Sequence, residues 1–177
     1  METLIEPKLK WPLERDLDSF YGRIKLGSEG RPTPQWESAN LTMASVPFHL
    51  KLSWDEKVTI RKFTCHRLIR PVLETIFEEI WHLYGKDVKA IDEARVNRFG
   101  GCYNFRRKRG GASLSCHSWG VAVDIDPEKN PLGKPYKESS GMLPMEVVEI
   151  FERYGAEWGG RWGNRCDAQH FQFARTK

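Results

Sequence analysis

Several features that would assign this chain of 177 residues to a class are missing. No apolar run approaches the roughly 20 residues of a membrane span, and the N-terminus lacks the basic start and apolar stretch of a secretory signal. We therefore expect a protein made in the cytoplasm, without a membrane span, that acts outside the cell only after release by another factor. The four cysteines form no CxxC pair, so a structural zinc knuckle is not indicated and free thiols are expected. A disulfide between Cys116 and Cys166 stays open.

A strong charge excess is also missing. The formal net charge is +4 at pH 7 and the sequence pI is about 8.9. This mildly basic balance suits an anionic polymer, either nucleic acid or a charged cell-wall glycan and peptide. Apolar residues make up 40% and charged residues 29%, as in globular proteins, and the length fits one domain over 1–177.

The helical signals lie in the middle and the last third of the chain. Residues 1–52, rich in glycine, proline and isolated aromatics, are expected to be an irregular segment that wraps over the core. Ser53 and Glu56 form a capping box, so a helix is predicted from there to Gly85, kinked or split at Pro71. A second helix is predicted over 143–154.

The strand signals follow the first helix. Apolar and polar residues alternate over 121–126 and again over 170–174, and residues 94–99 are a further strand candidate. Together with the helices, these strands predict an α+β fold in which helices flank a small, mostly antiparallel sheet.

Two of the strand segments carry residues that bind metals. His117 and Asp124 are seven positions apart, so they share a site only if His117 lies in a loop that bends back, which Gly120 permits. His170 lies on the polar side of the last strand. Two histidines and one carboxylate are a catalytic zinc set with an open fourth position. Asp167, three residues before His170, is the candidate general base.

The same segments resemble a known family. Ser-x-His-x-x-Gly-x-Ala-x-Asp begins at Ser115, and Trp-Gly-Gly-x-Trp leads into Asp-x-x-His-Phe at Asp167. These motifs resemble the zinc D-alanyl-D-alanine carboxypeptidase and L-alanyl-D-glutamate endopeptidase family, which includes many phage endolysins. The resemblance implies one catalytic zinc ion held by His117, Asp124 and His170, with Asp167 as the base. Many family members have Glu at the position of Asp167.

The resemblance also implies residues that contact the substrate. The family places an arginine after an aromatic residue, upstream of the first ligand, and Arg106 fits that pattern, with Arg107 as the alternative. Ser115 and Tyr103 are further candidates for contacts with the substrate. The implied fold is the small antiparallel sheet shared by these peptidases and the hedgehog signalling domains.

The implied substrate is a peptidoglycan stem peptide, cut by a monomeric enzyme that binds no nucleic acid and acts on the cell wall. We favour the L-alanyl-D-glutamate bond; a terminal D-alanyl-D-alanine bond or a cross-link remain alternatives. Two rival functions stay open. One is a nucleic-acid-binding module that uses the basic run 106–109. The other is a non-catalytic zinc-fold binding module, of which hedgehog domains are an example, although such a module has no use for Asp167.

Overall fold

The structure is a computed structural model that describes residues 10–177, so the expectations made for residues 1–9 lie outside the described residues. The helices are α1 (Leu17–Tyr21), α2 (Pro34–Asn40), α3 (Arg70–Leu83), α4 (Val88–Glu93) and α5 (Met145–Arg153). The strands are β1 (Leu41–Leu52), β2 (Asp55–His66), β3 (Arg98–Gly101), β4 (Ala122–Ile125), β5 (Glu157–Trp158) and β6 (His170–Gln172). Within the described range, no helix is long and apolar enough to cross a membrane.

The strands form one sheet in the order β2-β1-β3-β4-β6-β5. Neighbouring strands are antiparallel, except that β1 and β3 are parallel. The predicted α+β fold with a mostly antiparallel sheet is therefore confirmed. The strands predicted over 121–126 and 170–174 are present as β4 and β6, and the helix predicted over 143–154 is present as α5. The strand predicted over 94–99 begins later, as β3.

The helix predicted to begin at Ser53 is wrong in its first half. Residues 53–54 are a two-residue turn that joins β1 to β2, and a helix begins only at α3. The β-branched residues at 58–60 favour extended backbone. The strand they belong to pairs with β1, and a local capping signal carries no information about such a partner strand. Pro71 lies in the first turn of α3, where its missing N–H leaves no hydrogen bond unmade.

The expectation of irregular backbone is wrong for 41–52, which form β1. Its buried side chains alternate with more exposed ones and are Ala44, Val46, Phe48 and Leu50. Pro47 interrupts the pairing with β2, and the register shifts between Ser45 and Leu50. Arg61 of β2 donates hydrogen bonds to the carbonyls of Val46 and Pro47, so the backbone groups at the irregularity are satisfied.

Aromatic side chains pack helices α3 and α5 against strand β6. Phe77 of α3 meets Phe151 of α5 edge-on, and Phe151 stacks on Phe171 of β6 with ring centroids 4.0 Å apart. All three rings are fully buried. Phe171 is next to His170 in the chain, so this packing fixes the backbone from which a candidate ligand projects.

Candidate metal centre

His117 lies in a short turn directly before β4. Residues Cys116–Trp119 form one 3-10 turn, capped by the Ser115 hydroxyl, which accepts from the His117 N–H at 3.4 Å. Gly120 ends the turn with a φ of +69°, and a Cβ at that position would lie 3.0 Å from the backbone nitrogen of His66. Glycine is thus needed both for the left-handed backbone and for the close approach of β2. The predicted bend between His117 and β4 is present.

Asp124 and His170 face each other on neighbouring strands. The antiparallel register of β4 and β6 pairs the two residues directly, and Asp124 Oδ1 lies 2.9 Å from His170 Nδ1. Asp124 Oδ2 lies 3.2 Å from His117 Nε2. One donor atom from each of the three residues lies within 4.8 Å of the others, a grouping that could hold a metal ion. The structure therefore brings together the three residues predicted as ligands.

The hydrogen bonds of the two imidazole rings show which nitrogens are free to bind. His117 Nδ1 lies 2.7 Å from the carbonyl oxygen of Cys102, which can only accept, so Nδ1 carries the proton. His170 Nε2 lies 3.0 Å from Gln172 Oε1 and donates to it. The remaining nitrogens, His117 Nε2 and His170 Nδ1, are 3.2 Å apart. In the neutral rings both carry lone pairs, and two lone pairs with a carboxylate make a site for a cation.

Burial and mutual charge set the ionisation of this cluster. Burial by itself raises the pKa of Asp124, but the charges and hydrogen bonds of His117 and His170 outweigh it and hold that pKa well below its ordinary value. Burial lowers the pKa of His170, but Asp124 outweighs burial and raises that pKa above its ordinary value. Asp124 is thus held as an anion, and with both rings neutral a bound cation would supply the compensating charge.

Asp167 lies beside the cluster without joining it. Its Oδ1 is buried and has no hydrogen-bond partner, although buried polar atoms are normally paired. Burial raises the pKa of this carboxyl. Its backbone packs closely on Gly159, where an added Cβ would lie 2.6 Å from the carbonyl oxygen of Asp167. Asp167 is therefore a fixed carboxylate next to the cluster with an oxygen left for another partner.

A cavity opens over the cluster, and its lining carries both acidic and basic side chains. Asp124, Asp167 and His170 line it, together with Ser115 and the ring of Trp162. Four cationic side chains also line this cavity: Arg106, Lys108, Arg109 and Arg165. Because metal donors and guanidinium groups line the same cavity, it can receive an anionic or strongly polarised group.

The structure distinguishes between the two candidate arginines. Arg106 lines the cavity, and Ser118 holds its backbone by accepting from its N–H at 3.0 Å and donating to its carbonyl at 2.7 Å. Arg107 is turned away, and its guanidinium donates to the carbonyl of Ala112. Arg106 is thus the residue placed to meet a bound group.

Tyr103 is not brought to the cavity with the other candidates. Its hydroxyl donates to Glu37 Oε1 of α2 at 2.6 Å, and it is not among the cavity-lining residues in the described part of the chain. The structure thus places the phenol against Glu37 of α2 rather than in the cavity lining, and this partner is one that the sequence does not indicate. Ser115 is buried and lines the cavity, where its hydroxyl caps the turn of His117.

All four cysteines are free, so Cys116 and Cys166 are not paired in the structure. Cys116 is buried, although it belongs to the cavity lining, and burial raises the pKa of its thiol. A buried thiol with a raised pKa is a poor nucleophile and a poor metal ligand.

Two residues that hydrogen bonds connect to the cluster were missed from sequence. Gln172 is two positions after His170 on the same strand face, and the i, i+2 spacing could have indicated it. Glu14 comes from the far end of the chain, and no local pattern marks it. Both line the cavity.

The fold and the cluster together define a class: an α+β domain with a possible metal site of two histidines and one carboxylate at the base of a cavity. A family model described as D-alanyl-D-alanine carboxypeptidase matches residues 109–173, which include the whole cluster and Asp167. The match supports a peptidase that acts on peptidoglycan, although it spans less than half of the chain and begins after Arg106. No curated protein and no solved structure matches this chain.

Proposed function

We propose that the chain is a zinc-dependent peptidoglycan peptidase that hydrolyses an amide bond of the stem peptide. The observation that carries this proposal is the convergence of two imidazole lone pairs and the Asp124 carboxylate at a cavity that also contains the unpartnered oxygen of Asp167. Three protein donors and an open fourth position are the arrangement of catalytic zinc sites. The family match supports the same chemistry.

His117 Nε2, His170 Nδ1 and a carboxylate oxygen of Asp124 would hold the zinc ion. Nitrogen and oxygen donors of this kind suit zinc. Zinc supplies Lewis acidity, which activates water near neutral pH and polarises the carbonyl of the scissile bond. The hydrogen bonds to Cys102 and Gln172 fix the orientation of the two rings before any metal binds.

Asp167 is the proposed general base. Its free Oδ1 takes the proton from the attacking water and then delivers that proton to the leaving amine. Burial raises the pKa of Asp167, which brings the carboxyl nearer to the range where it can both accept and release a proton. The close packing of its backbone on Gly159 holds the segment from which the carboxylate projects.

Arg106 is proposed to bind the substrate. Its guanidinium stabilises the negative charge that develops on the carbonyl oxygen, or holds a neighbouring substrate carboxylate. Ser115 steadies the turn of His117 and lies where it could also contact the peptide. The additional cations at the cavity attract an acidic peptide.

We favour the L-alanyl-D-glutamate bond; the cations that line the cavity suit the free α-carboxylate of D-glutamate beside that bond, as they would the terminal carboxylate of a D-alanyl-D-alanine substrate. A D-alanyl-D-alanine carboxypeptidase is the second candidate, and the description of the matching family supports it. In either case we propose that the enzyme acts on the cell wall.

Digestion of purified peptidoglycan tests the proposal. Wild-type protein with zinc should release new amino groups, and mass spectrometry of the fragments should show N-terminal D-glutamate for the endopeptidase or free D-alanine for the carboxypeptidase. A chelator should abolish the products, and the Asp167→Asn variant should form them at least about 100-fold more slowly. Binding to peptidoglycan without any new termini would contradict the enzyme and favour the non-catalytic binding module.

A further inference from the structure

Hydrogen bonds through the buried side-chain amide of Gln172 connect His170 Nε2 to Glu14, near the N-terminus. Gln172 is 1% exposed, and its Oε1 accepts from His170 Nε2 at 3.0 Å. Its Nε2 donates to Glu14 Oε1 at 3.1 Å and to the carbonyl of Ala174 at 3.2 Å. A continuous path of hydrogen bonds thus runs from Glu14 through Gln172 to His170.

The partners of Gln172 determine which way its amide faces. A carboxylate and a carbonyl can only accept, so the amide nitrogen must point toward Glu14 and Ala174. Oε1 then points toward His170, and the imidazole must be protonated on Nε2. Only this tautomer leaves a lone pair on Nδ1, the nitrogen that faces Asp124.

Glu14 is itself held from two sides. Its backbone N–H donates to the carbonyl of Arg175 at 2.9 Å, and its Oε2 binds Lys108 Nζ at 2.5 Å. Its side chain is 22% exposed, so it lies between solvent and the buried amide. The two carboxylate oxygens of Glu14 have different partners: Oε2 pairs with Lys108, and Oε1 accepts from Gln172.

We propose that Glu14 and Gln172 are positioning residues of the metal centre, which set the tautomer and orientation of His170 for zinc. This inference rests on the metal site of the proposed function and assigns no chemistry to either residue. Without Glu14, only Ala174 would oppose rotation of the amide. A rotated amide would present N–H groups to His170 Nε2 and drive the proton onto Nδ1, where it blocks the ligand position.

Zinc affinity measured by competition with a chelating dye tests the proposal on the purified full chain. Outer partners of metal-bound histidines typically change affinity by about 10–100-fold. Glu14→Ala should raise the zinc Kd roughly 10-fold, and Gln172→Met, which keeps the volume without the hydrogen bonds, should raise it by about 10–100-fold. Glu79→Ala is the matched control, because Glu79 is a half-buried glutamate that pairs with Arg153 away from the cavity. The control should leave the Kd unchanged.

A double variant separates positioning from simple structural support. Gln172→Glu places at position 172 a carboxyl group that accepts from His170 through one oxygen and, protonated on the other, donates to the carbonyl of Ala174, so its orientation needs no help from Glu14. The Glu14→Ala, Gln172→Glu double variant should therefore recover zinc affinity to within about threefold of wild type. The absorption spectrum of the cobalt-loaded protein should change in Glu14→Ala and return toward wild type in the double variant.

Wild-type affinity in Glu14→Ala, or a loss that the double variant does not recover, would overturn the proposal. If Glu14→Ala does not fold, Gln172→Met carries the test, and wild-type affinity in that variant would overturn it equally. The readout is independent of hydrolysis. A protein that shows the predicted affinities but cuts no peptide contradicts only the proposed function, whereas one that cuts peptide with no dependence on Glu14 contradicts only this inference.

Discussion

Two buried histidine environments in this chain use their ring nitrogens differently. His66 is 2% exposed; its Nε2 donates to the carbonyl of Tyr21 at 2.9 Å and its Nδ1 accepts from the N–H of Leu68 at 3.2 Å. Both nitrogens are satisfied by backbone, and burial lowers the pKa of this ring. His66 is therefore a neutral histidine that holds β2 against the N-terminal segment.

The pair formed by His117 and His170 is also buried, but only one nitrogen of each ring has an uncharged oxygen acceptor. The other nitrogen of each ring faces the second ring and the carboxylate of Asp124. Burial alone therefore does not distinguish a structural histidine from a candidate ligand. The distinction lies in whether the second nitrogen meets the backbone, as in His66, or a carboxylate and another imidazole.

Removal of one ligand should break the cluster and leave the structural histidine intact. His117→Ala should lose nearly all its zinc after dialysis, from about one ion per chain, and with it all hydrolysis. His66→Gln, which retains one donor and one acceptor, should lower the melting temperature but keep its zinc. Elemental analysis of the dialysed proteins measures both. Equal zinc loss in the two variants would contradict the division between them.

Loss of the base should separate catalysis from metal binding. Asp167→Asn should retain zinc but lower kcat for peptide hydrolysis by about 100- to 10,000-fold, as expected for general acid–base catalysis. Because burial disfavours the charged carboxyl, the variant should melt at or above the wild-type temperature. Chromatographic assay of stem-peptide cleavage checks the first effect and calorimetry the second. Full activity in this variant would remove Asp167 from the mechanism.

Zinc removal should destabilise the chain only through the cluster. A ligand that binds the native state at one hundred times its Kd adds about 2.7 kcal/mol, and for a domain of this size that corresponds to about 5–10 °C in melting temperature. The wild type and His66→Gln should both show this shift on zinc addition, and His117→Ala should show none. Differential scanning fluorimetry with and without chelator measures it. A shift that persists in His117→Ala would place the metal elsewhere.

Acid should weaken the fold through His66. Its pKa in the folded chain lies below the ordinary value of 6.5, so below that pH the unfolded chain binds the proton more readily. The contribution of the neutral ring is thus complete above pH 6.5 and falls as the pH drops, by at most about 1.4 kcal/mol per pH unit. Urea unfolding at pH 7 and pH 5 should show a smaller decline for His66→Gln than for wild type. Identical declines would show that His66 does not titrate in this way.

The sequence predicted the cluster better than it predicted the fold around it. His117 and Asp124 could be connected because strand parity requires a bend between them and Gly120 provides it. His170 followed because an alternating segment has one polar face. Each of these arguments needs only a short stretch of chain. In the structure, the register of β4 and β6 places Asp124 opposite His170.

The features that escaped prediction depend on distant partners. The hairpin of β1 and β2 was missed because Pro47 argues against a strand, although apolar and polar residues alternate through it over 44–50, and because the capping signal at Ser53 predicts a helix. Glu14 reaches the cluster only after the whole chain has folded. Tyr103 follows the family pattern locally, yet Glu37 draws its hydroxyl away from the cavity.

X-ray absorption spectroscopy of the zinc-loaded protein tests the central claim most directly, because it reports the ligand atoms themselves. The account predicts only nitrogen and oxygen neighbours at about 2.0–2.2 Å, with the outer scattering of two imidazole rings. In His117→Ala, any residual signal should contain a single ring. A sulfur neighbour at about 2.3 Å, or a spectrum without imidazole, would contradict the assignment of His117, Asp124 and His170 as the metal ligands.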